Sequence, residues 1–146
     1  MTLPDPVPGL VIRHAFLWSH EVARGQREAA KSRPCAIVIA AAQDKCGAIR
    51  VTVAPITHSP PNDETACVEL PAKIARELGL DDDRQWLRFD EFNYFDWPGF
   101  DLSPLPGTEA RYAYGILPRR FFERVRAAIL NRVHAGKRTA AFNRDE

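Results

Sequence analysis

A run of apolar residues from Ala36 to Ala40 directly follows a charged, proline-containing segment, and it constrains the fold more than any other stretch. The run is short and uncharged, and three of its five residues are β-branched. Such runs are typical of strands that are buried on both faces of a sheet. Pro34 fixes its own φ and favours an extended conformation for Arg33, so a cation is placed at the entrance of the strand. We expect Val38, at the centre of the run, to be fully buried.

Further short runs predict five more strands around this one. Alternation of apolar and polar residues, the pattern of a strand with one buried face, is clearest from Ile49 to Thr57. Pro55 predicts an edge or a bulge at the end of that strand. Polar residues 19–32 predict a long surface loop, with a helical turn inside it as an alternative, and Asp44–Gly47 predicts a turn. The predicted strands are Leu10–Trp18, 35–40, Ile49–Thr57, Ala66–Leu70, Trp86–Glu91 and Arg111–Tyr114.

Two prolines mark the starts of helices. Pro71 opens a short helix that Gly79 ends, with Ile74 and Leu78 on one face. Pro118 opens a longer terminal helix, whose apolar stripe is predicted to be Phe122, Val125, Ile129 and Val133. The chain is therefore expected to be mainly β with helices, folded as a small β-barrel or a strongly bent sheet that carries a C-terminal helix.

Length and composition favour a single globular domain over residues 1–146. The 146 residues are enough for a sizeable core, and the apolar (45%) and charged (27%) fractions are those of globular proteins. Residues 1–8 are predicted to be an irregular lead-in, and residues 137–146 a flexible tail. We expect a cytoplasmic protein with no membrane partner, since no apolar run could span a bilayer and the first residues do not resemble a signal sequence.

Three cysteines, at positions 35, 46 and 67, show no metal-binding spacing, and their odd number argues against a disulfide framework. Cys35 is expected to be a buried reduced thiol, with a nucleophile as the alternative. No metal site and no cofactor are predicted, because the sequence contains no glycine-rich phosphate loop and no zinc-ligand cluster.

The net charge of +1 hides a strong asymmetry along the chain. Residues 119–138 carry seven Lys or Arg against Glu123, whereas residues 81–101 carry seven acids against two Arg. The basic helix could bind nucleic acid or an acidic partner, and the alternative is an ordinary solvated helix face.

Four residues form a candidate catalytic set. Arg33 enters the core strand, Thr57 ends the next strand, and Arg88 and Asp90 share one face of a later strand because i and i+2 point the same way. Phosphodiester cleavage without a metal needs a group that removes the 2′-hydroxyl proton and a group that protonates the leaving 5′-oxygen. It also needs a guanidinium that neutralises the charge growing on the phosphoryl oxygens.

Each candidate also has an ordinary structural interpretation. Arg33 could pair with a surface acid, Thr57 could hold a turn, and Arg88 with Asp90 could be a simple ion pair. The aromatic residues of the 86–97 region are core residues or, alternatively, stacking platforms for bases: Trp86, Phe92, Tyr94, Phe95 and Trp97.

The order of short motifs resembles the MazF/PemK toxin family, in a divergent form, roughly from Gly9 to Val133. The best matches are Lys31-Ser32-Arg33-Pro34 before an apolar strand and Pro55-Ile56-Thr57 at the end of the next. Arg88-x-Asp90 follows, and Gly115-Ile116-Leu117 then leads into the terminal helix. The resemblance implies an SH3-like β-barrel with a C-terminal helix.

The resemblance also implies an activity, partners and site residues. The implied protein is the toxin of a type II toxin–antitoxin system, a homodimeric, metal-independent endoribonuclease that cleaves single-stranded RNA and is silenced by a cognate antitoxin. Arg33, Thr57, Arg88 and Asp90 match the family's catalytic positions. The residues predicted to bind the substrate beside them are Lys31, His20, His58 and Ser59. The alternative function is a non-catalytic SH3-like module that binds RNA or a protein partner.

Overall fold

The computed structural model describes residues 3–29, 31–43 and 47–145. In these ranges the chain forms eight strands and three α-helices. The elements are β1 (Leu10–Ala15), α1 (Ser19–Ala23), β2 (Ser32–Ala42), β3 (Ile49–Thr57), a 3-10 turn (Glu64–Ala66), β4 (Cys67–Leu70), α2 (Ala72–Glu77), β5 (Gln85–Arg88), β6 (Glu91–Asp96), β7 (Ala113–Ile116), α3 (Arg119–His134) and β8 (Ala140–Asn143). The expectation of a mainly β chain with a C-terminal helix is confirmed.

The strands form one curled sheet with the shape of a half-barrel. Its order is β4-β5-β3-β2-β1-β7, and β6 pairs with β3 on one side and with β8 on the other. All neighbours are antiparallel except β6 and β8, which are parallel. The strand β3 lies at the centre because it contacts β2 on one side and two successive strands on the other.

Pro55 lies where β3 changes neighbours on its second side. Residues Arg50–Val53 pair with β6, while Ile56 and Thr57 pair with β5. Between the pairing with β6 and the pairing with β5, a backbone N–H on this side of β3 would have no partner. Proline suits this position because it has no N–H. Of the two predicted alternatives the edge is wrong, since Pro55 pairs with Cys35 and the strand continues inside the sheet to Thr57, the predicted end; Pro55 lies instead at an interruption of the pairing on the second side.

The strand β2 is buried on both faces only at Cys35, Ala36 and Ile37. Ala36 packs in one apolar cluster, with β3, β5, α2 and α3, whereas Cys35 and Ile37 pack in a second, with β1 and β6. The prediction that Val38 is fully buried is wrong, because its side chain is half-buried and Ile39 is 54% exposed. A register shift between Ile37 and Ile39 marks the point where the strand leaves the core.

Several predicted boundaries also differ from the structure. The predicted strand Trp86–Glu91 is two strands, β5 and β6, which separate at Phe89–Asp90 and pair with different halves of β3. The helical turn considered within the loop 19–32 is present as α1, and β2 already begins at Ser32. The buried face of α3 contains Phe121 and Val125, whereas Val133, which was predicted to belong to it, is 61% exposed. The predicted turn Asp44–Gly47 lies largely outside the described residues.

The predicted flexible tail is wrong for its central part, because Ala140–Asn143 forms β8 beside β6. Two buried arginines hold the segment in place. Arg132 donates to Asp63 and to the carbonyl oxygen of Arg138, and Arg144 donates to Asp101 and to the carbonyl oxygen of Arg27. Charge-assisted hydrogen bonds of this kind hold the tail in an ordered conformation, which its polar composition does not predict.

Candidate functional site

Arg33 and Thr57 meet at the first residues of β2 and the last residue of β3. Cys35 pairs with Pro55, and two further steps along this antiparallel register bring Arg33 opposite Thr57. The Nη1 of Arg33 donates to Thr57 Oγ1 at 3.4 Å, a long hydrogen bond. The amide of Ser59 donates to the same hydroxyl at 3.3 Å, so the Thr57 hydroxyl is held from two sides. The sheet therefore aligns a guanidinium with a hydroxyl, as the sequence predicted.

Arg88 and Asp90 form a bidentate ion pair where β5 ends. Arg88 Nε lies 3.1 Å from Asp90 Oδ1, and Nη2 lies 2.7 Å from Oδ2. The Nη1 of Arg88 also donates to the carbonyl oxygen of Ser59 at 3.3 Å, which ties this pair to the loop after Thr57. Both side chains are mostly enclosed, with 16% and 24% of their surfaces exposed, so the pair is better shielded than an ordinary surface ion pair.

Trp18 joins the two pairs by lying beside both arginines. The guanidinium carbon of Arg33 lies 5.2 Å from the centroid of the Trp18 ring, and that of Arg88 lies 4.6 Å from it. Both distances fall within the range of a cation–π contact. His20 stacks on the same ring system at 6.5 Å. Arg33, Thr57, Arg88, Asp90 and Trp18 therefore form one assembly, here called the central cluster.

Two buried carboxylates hold Trp18 and α1 in position. Glu21, three residues after Trp18, accepts a hydrogen bond from the Trp18 amide at 3.0 Å. Glu91, on β6, accepts one from the amide of Ser19. A carboxylate that binds the free amide groups of a helix start is a common local stabiliser. Sequence reasoning missed Trp18, Glu21 and Glu91, although the spacing of Trp18 and Glu21 at a helix start was a usable signal.

The guanidinium of Arg33 lies close both to the cation Arg88 and to the buried carboxylate of Glu21. Burial lowers the pKa of the Arg33 guanidinium, Cys35 and Glu21 oppose that shift, and the nearby Arg88 adds to it. The Nε of Arg33 is buried and has no hydrogen-bond partner among the described residues. Because that Nε is buried, an anion could reach Arg33 only through the outer nitrogens of its guanidinium, beside the Thr57 hydroxyl.

Cys35 cannot supply a nucleophile to this cluster. The side chain is fully buried, and burial raises the pKa of its thiol far above the usual value despite the opposing effect of Arg33. Since the thiolate is the reactive form, the interpretation of Cys35 as a buried inert thiol is supported.

A cleft of about 620 Å³ opens from Arg33 and Thr57 toward α2 and the segment after Leu105. We call it the basic cleft, because four cations line it against two carboxylates. Those charged residues are Lys31, Arg33, Arg76, Arg111, Glu77 and Asp81. His58 also lines it, but its Nε2 lies 2.9 Å from Asp81 Oδ2. The hydrogen bond from His58 is the main reason that the pKa of Asp81 is lowered.

The structure brings most of the predicted site residues together. Arg33, Thr57, Arg88 and Asp90 belong to the central cluster, and Ser59 contacts it through its backbone. His20 reaches the cluster only through the Trp18 ring. Lys31 and His58 line the basic cleft instead.

One group among the described residues has the composition of a metal site. His58, Asp81 and Asp83 offer ligand atoms within 4.8 Å of one another, and all three side chains are exposed. Exposed groups of this kind are common on protein surfaces, and the hydrogen bond between His58 and Asp81 accounts for the arrangement.

Comparison of the chain with models of protein families, with curated proteins and with solved structures found no match. Within the described ranges, no helix has the length and apolar character needed to cross a membrane.

Proposed function

We propose that this protein is a metal-independent endoribonuclease that cleaves single-stranded RNA, as the toxin of a type II toxin–antitoxin system. One observation carries the proposal: Arg33, Thr57, Arg88 and Asp90, from three separate parts of the chain, meet around Trp18. The motif order that resembles the MazF/PemK family supports it, as does the curled sheet with a C-terminal helix, which we interpret as an SH3-like barrel.

The central cluster offers the groups that such cleavage requires. The scissile phosphate would bind the Arg33 guanidinium where it lines the basic cleft, with the Thr57 hydroxyl beside it. The 2′-oxygen of the RNA attacks phosphorus, the bond to the 5′-oxygen breaks, and a 2′,3′-cyclic phosphate and a 5′-hydroxyl result. Asp90 takes the 2′-hydroxyl proton, a water molecule protonates the leaving 5′-oxygen, and Asp90 then returns its proton to the hydroxide that is left. The positive charge of the arginines stabilises the negative charge that grows on the phosphoryl oxygens.

The proposal includes a homodimer, a cognate antitoxin and a cytoplasmic location. An apolar groove between β2 and α3 supports the homodimer, since Ile39 and Leu130 in its lining are 54% and 45% exposed. Exposed apolar patches commonly mark protein interfaces, and small folds with free sheet edges commonly pair. Co-expression with the product of a small neighbouring reading frame should suppress cleavage if that product is the antitoxin.

Cleavage of a sequence-diverse, labelled pool of single-stranded RNA tests the mechanism. Arg33→Lys should lose about a hundred- to a thousandfold in rate, because lysine keeps the charge but cannot form a bidentate fork with the phosphate. Asp90→Asn should also lose activity, because an amide cannot accept the proton. Arg119→Lys, at a residue 92% exposed on α3, is the matched control and should keep the wild-type rate. Wild-type cleavage should survive EDTA and leave a 2′,3′-cyclic phosphate.

Three outcomes would contradict parts of this proposal. Cutting that EDTA abolishes, or full activity in a folded Arg33→Lys variant, would exclude the mechanism. No cutting by folded wild-type protein would favour the alternative, a non-catalytic module that binds RNA or a protein partner. That alternative is compatible with the geometry of Asp90, whose two oxygens both accept hydrogen bonds from Arg88.

A further inference from the structure

The basic cleft extends beyond the residues assigned to catalysis. One wall is the end of α2 and the residues after it, from Arg76 to Asp81. The opposite wall contains Leu105, Pro106, Arg111 and Tyr114. Its volume of about 620 Å³ is within the range of sites that take small organic groups. Arg33 and Thr57 belong both to this cleft and to the central cluster, so a ligand in the cleft would touch the two residues assigned to the scissile phosphate.

The lining of the cleft combines an apolar interior with cations at its mouth. Leu78 and Leu105 are buried, and Tyr114 is partly buried, whereas Arg76 and Arg111 are exposed. A flat base packs well on apolar and aromatic side chains, and exposed guanidiniums suit the phosphates on either side of it. The same combination would hold a metal ion poorly, because most of the lining is not made of carboxylates or imidazoles.

We propose that the basic cleft binds the nucleotide next to the scissile phosphate of single-stranded RNA, with Arg76 and Arg111 contacting flanking phosphates. This assignment rests on the proposed ribonuclease function, because it places the scissile phosphate at Arg33. With that phosphate at Arg33, the adjacent nucleotide meets Tyr114 and Leu78 in the interior of the cleft. The cleft then supplies affinity and base preference, while the central cluster supplies the chemistry.

The salt dependence of binding tests this assignment without cleavage. The probe is a labelled single-stranded RNA pool with 2′-fluoro sugars, which cannot form the cyclic product. Its affinity is measured between about 50 and 300 mM salt, a range wide enough to define the slope of log K against log salt. Arg76→Gln and Arg111→Gln should each weaken binding and reduce the slope of log K against log salt by about 0.7, the value for one lost phosphate contact on a single strand. Lys73→Gln, at an exposed residue that lies outside both the cleft lining and the basic terminal helix, should leave the slope unchanged.

The possible results separate the cleft from the nuclease. If the wild type cuts RNA but neither cleft variant changes the slope, the subsite is wrong and the nuclease stands. If both cleft variants lower the slope and no RNA is cut, the cleft is an RNA-binding site, but the nuclease and the placement beside a scissile phosphate are wrong. An equal loss in Lys73→Gln would show general surface attraction, and no binding by the wild type would exclude an RNA site, so either result overturns the assignment.

Discussion

His14 makes the stability of this fold sensitive to mild acid. The side chain is fully buried and stacks on Phe95 with ring centroids 5.0 Å apart. Its Nε2 lies 3.1 Å from Asn93 Oδ1, while Nδ1 has no hydrogen-bond partner among the described residues. This arrangement fits the neutral ring with its proton on Nε2, because Asn93 Oδ1 can only accept. A second proton on Nδ1 would be a buried donor without an acceptor.

The size of the effect follows from the pKa of His14. Burial lowers that pKa from 6.5 to about 4, and Arg144 adds to the shift, whereas the Asn93 hydrogen bond and Asp101 oppose it. The unfolded chain therefore binds a proton at a higher pH than the folded protein does. The stabilising contribution is fully present above pH 6.5 and is lost as pH falls toward the folded-state pKa. Linkage gives a loss of about 2 kcal/mol at pH 5 relative to pH 7.5.

Urea unfolding at pH 7.5 and at pH 5.0 measures this loss in a window where Asp and Glu side chains change little. His14→Phe keeps an aromatic ring beside Phe95 but cannot titrate. The difference between its free energies of unfolding at pH 7.5 and pH 5.0 should therefore be about 2 kcal/mol smaller than in the wild type. His134→Gln removes an exposed histidine and should behave like the wild type. An unchanged pH dependence in His14→Phe would show that His14 does not carry the effect.

Two further predictions concern packing and assembly. Ile37→Ala should cost about 2–5 kcal/mol of stability because Ile37 is fully buried, whereas Ile39→Ala should cost less than about 1 kcal/mol because its side chain is 54% exposed. Chemical denaturation measures both, and equal losses would contradict the placement of the register shift between them. Light scattering should give about twice the chain mass of 16.4 kDa, and a monomer at micromolar concentration would refute the homodimer.

The candidate site was largely predictable because its members stand next to strong local signals. Pro34 and the apolar run after it place Arg33 at the entrance of a core strand, and the alternation up to Thr57 fixes the end of the next. The contribution of Trp18 could not be found in this way. It depends on β1 lying beside β2 and on β5 reaching β3 from the other side, and local patterns do not determine such long-range pairing.

The errors in the predicted fold have the same origin. A continuous alternation from Trp86 onward predicts a single strand, but the chain separates at Phe89–Asp90 because β3 has a different partner on each side of Pro55. Likewise, the burial of Val38 was inferred from an apolar run, and a register shift after Ile37 turns that run out of the core. Periodicity reports which residues could share a face, and tertiary pairing decides how far each strand extends.

The position of Asp90 depends on the end of the chain, which composition alone marks as disordered. Thr139 Oγ1 donates a hydrogen bond to the carbonyl oxygen of Phe89 at 3.1 Å. The amide of Ala140 donates to the carbonyl oxygen of Asp90, also at 3.1 Å. Arg132 of α3 in turn binds the carbonyl oxygen of Arg138, so the helix anchors the segment that holds the turn. The Asp90 carboxylate is thus held by Arg88, and the Asp90 backbone is held by Ala140 at the start of β8, which pairs with β6. In this chain a catalytic carboxylate would be positioned by tertiary structure assembled only when the C-terminal segment has docked.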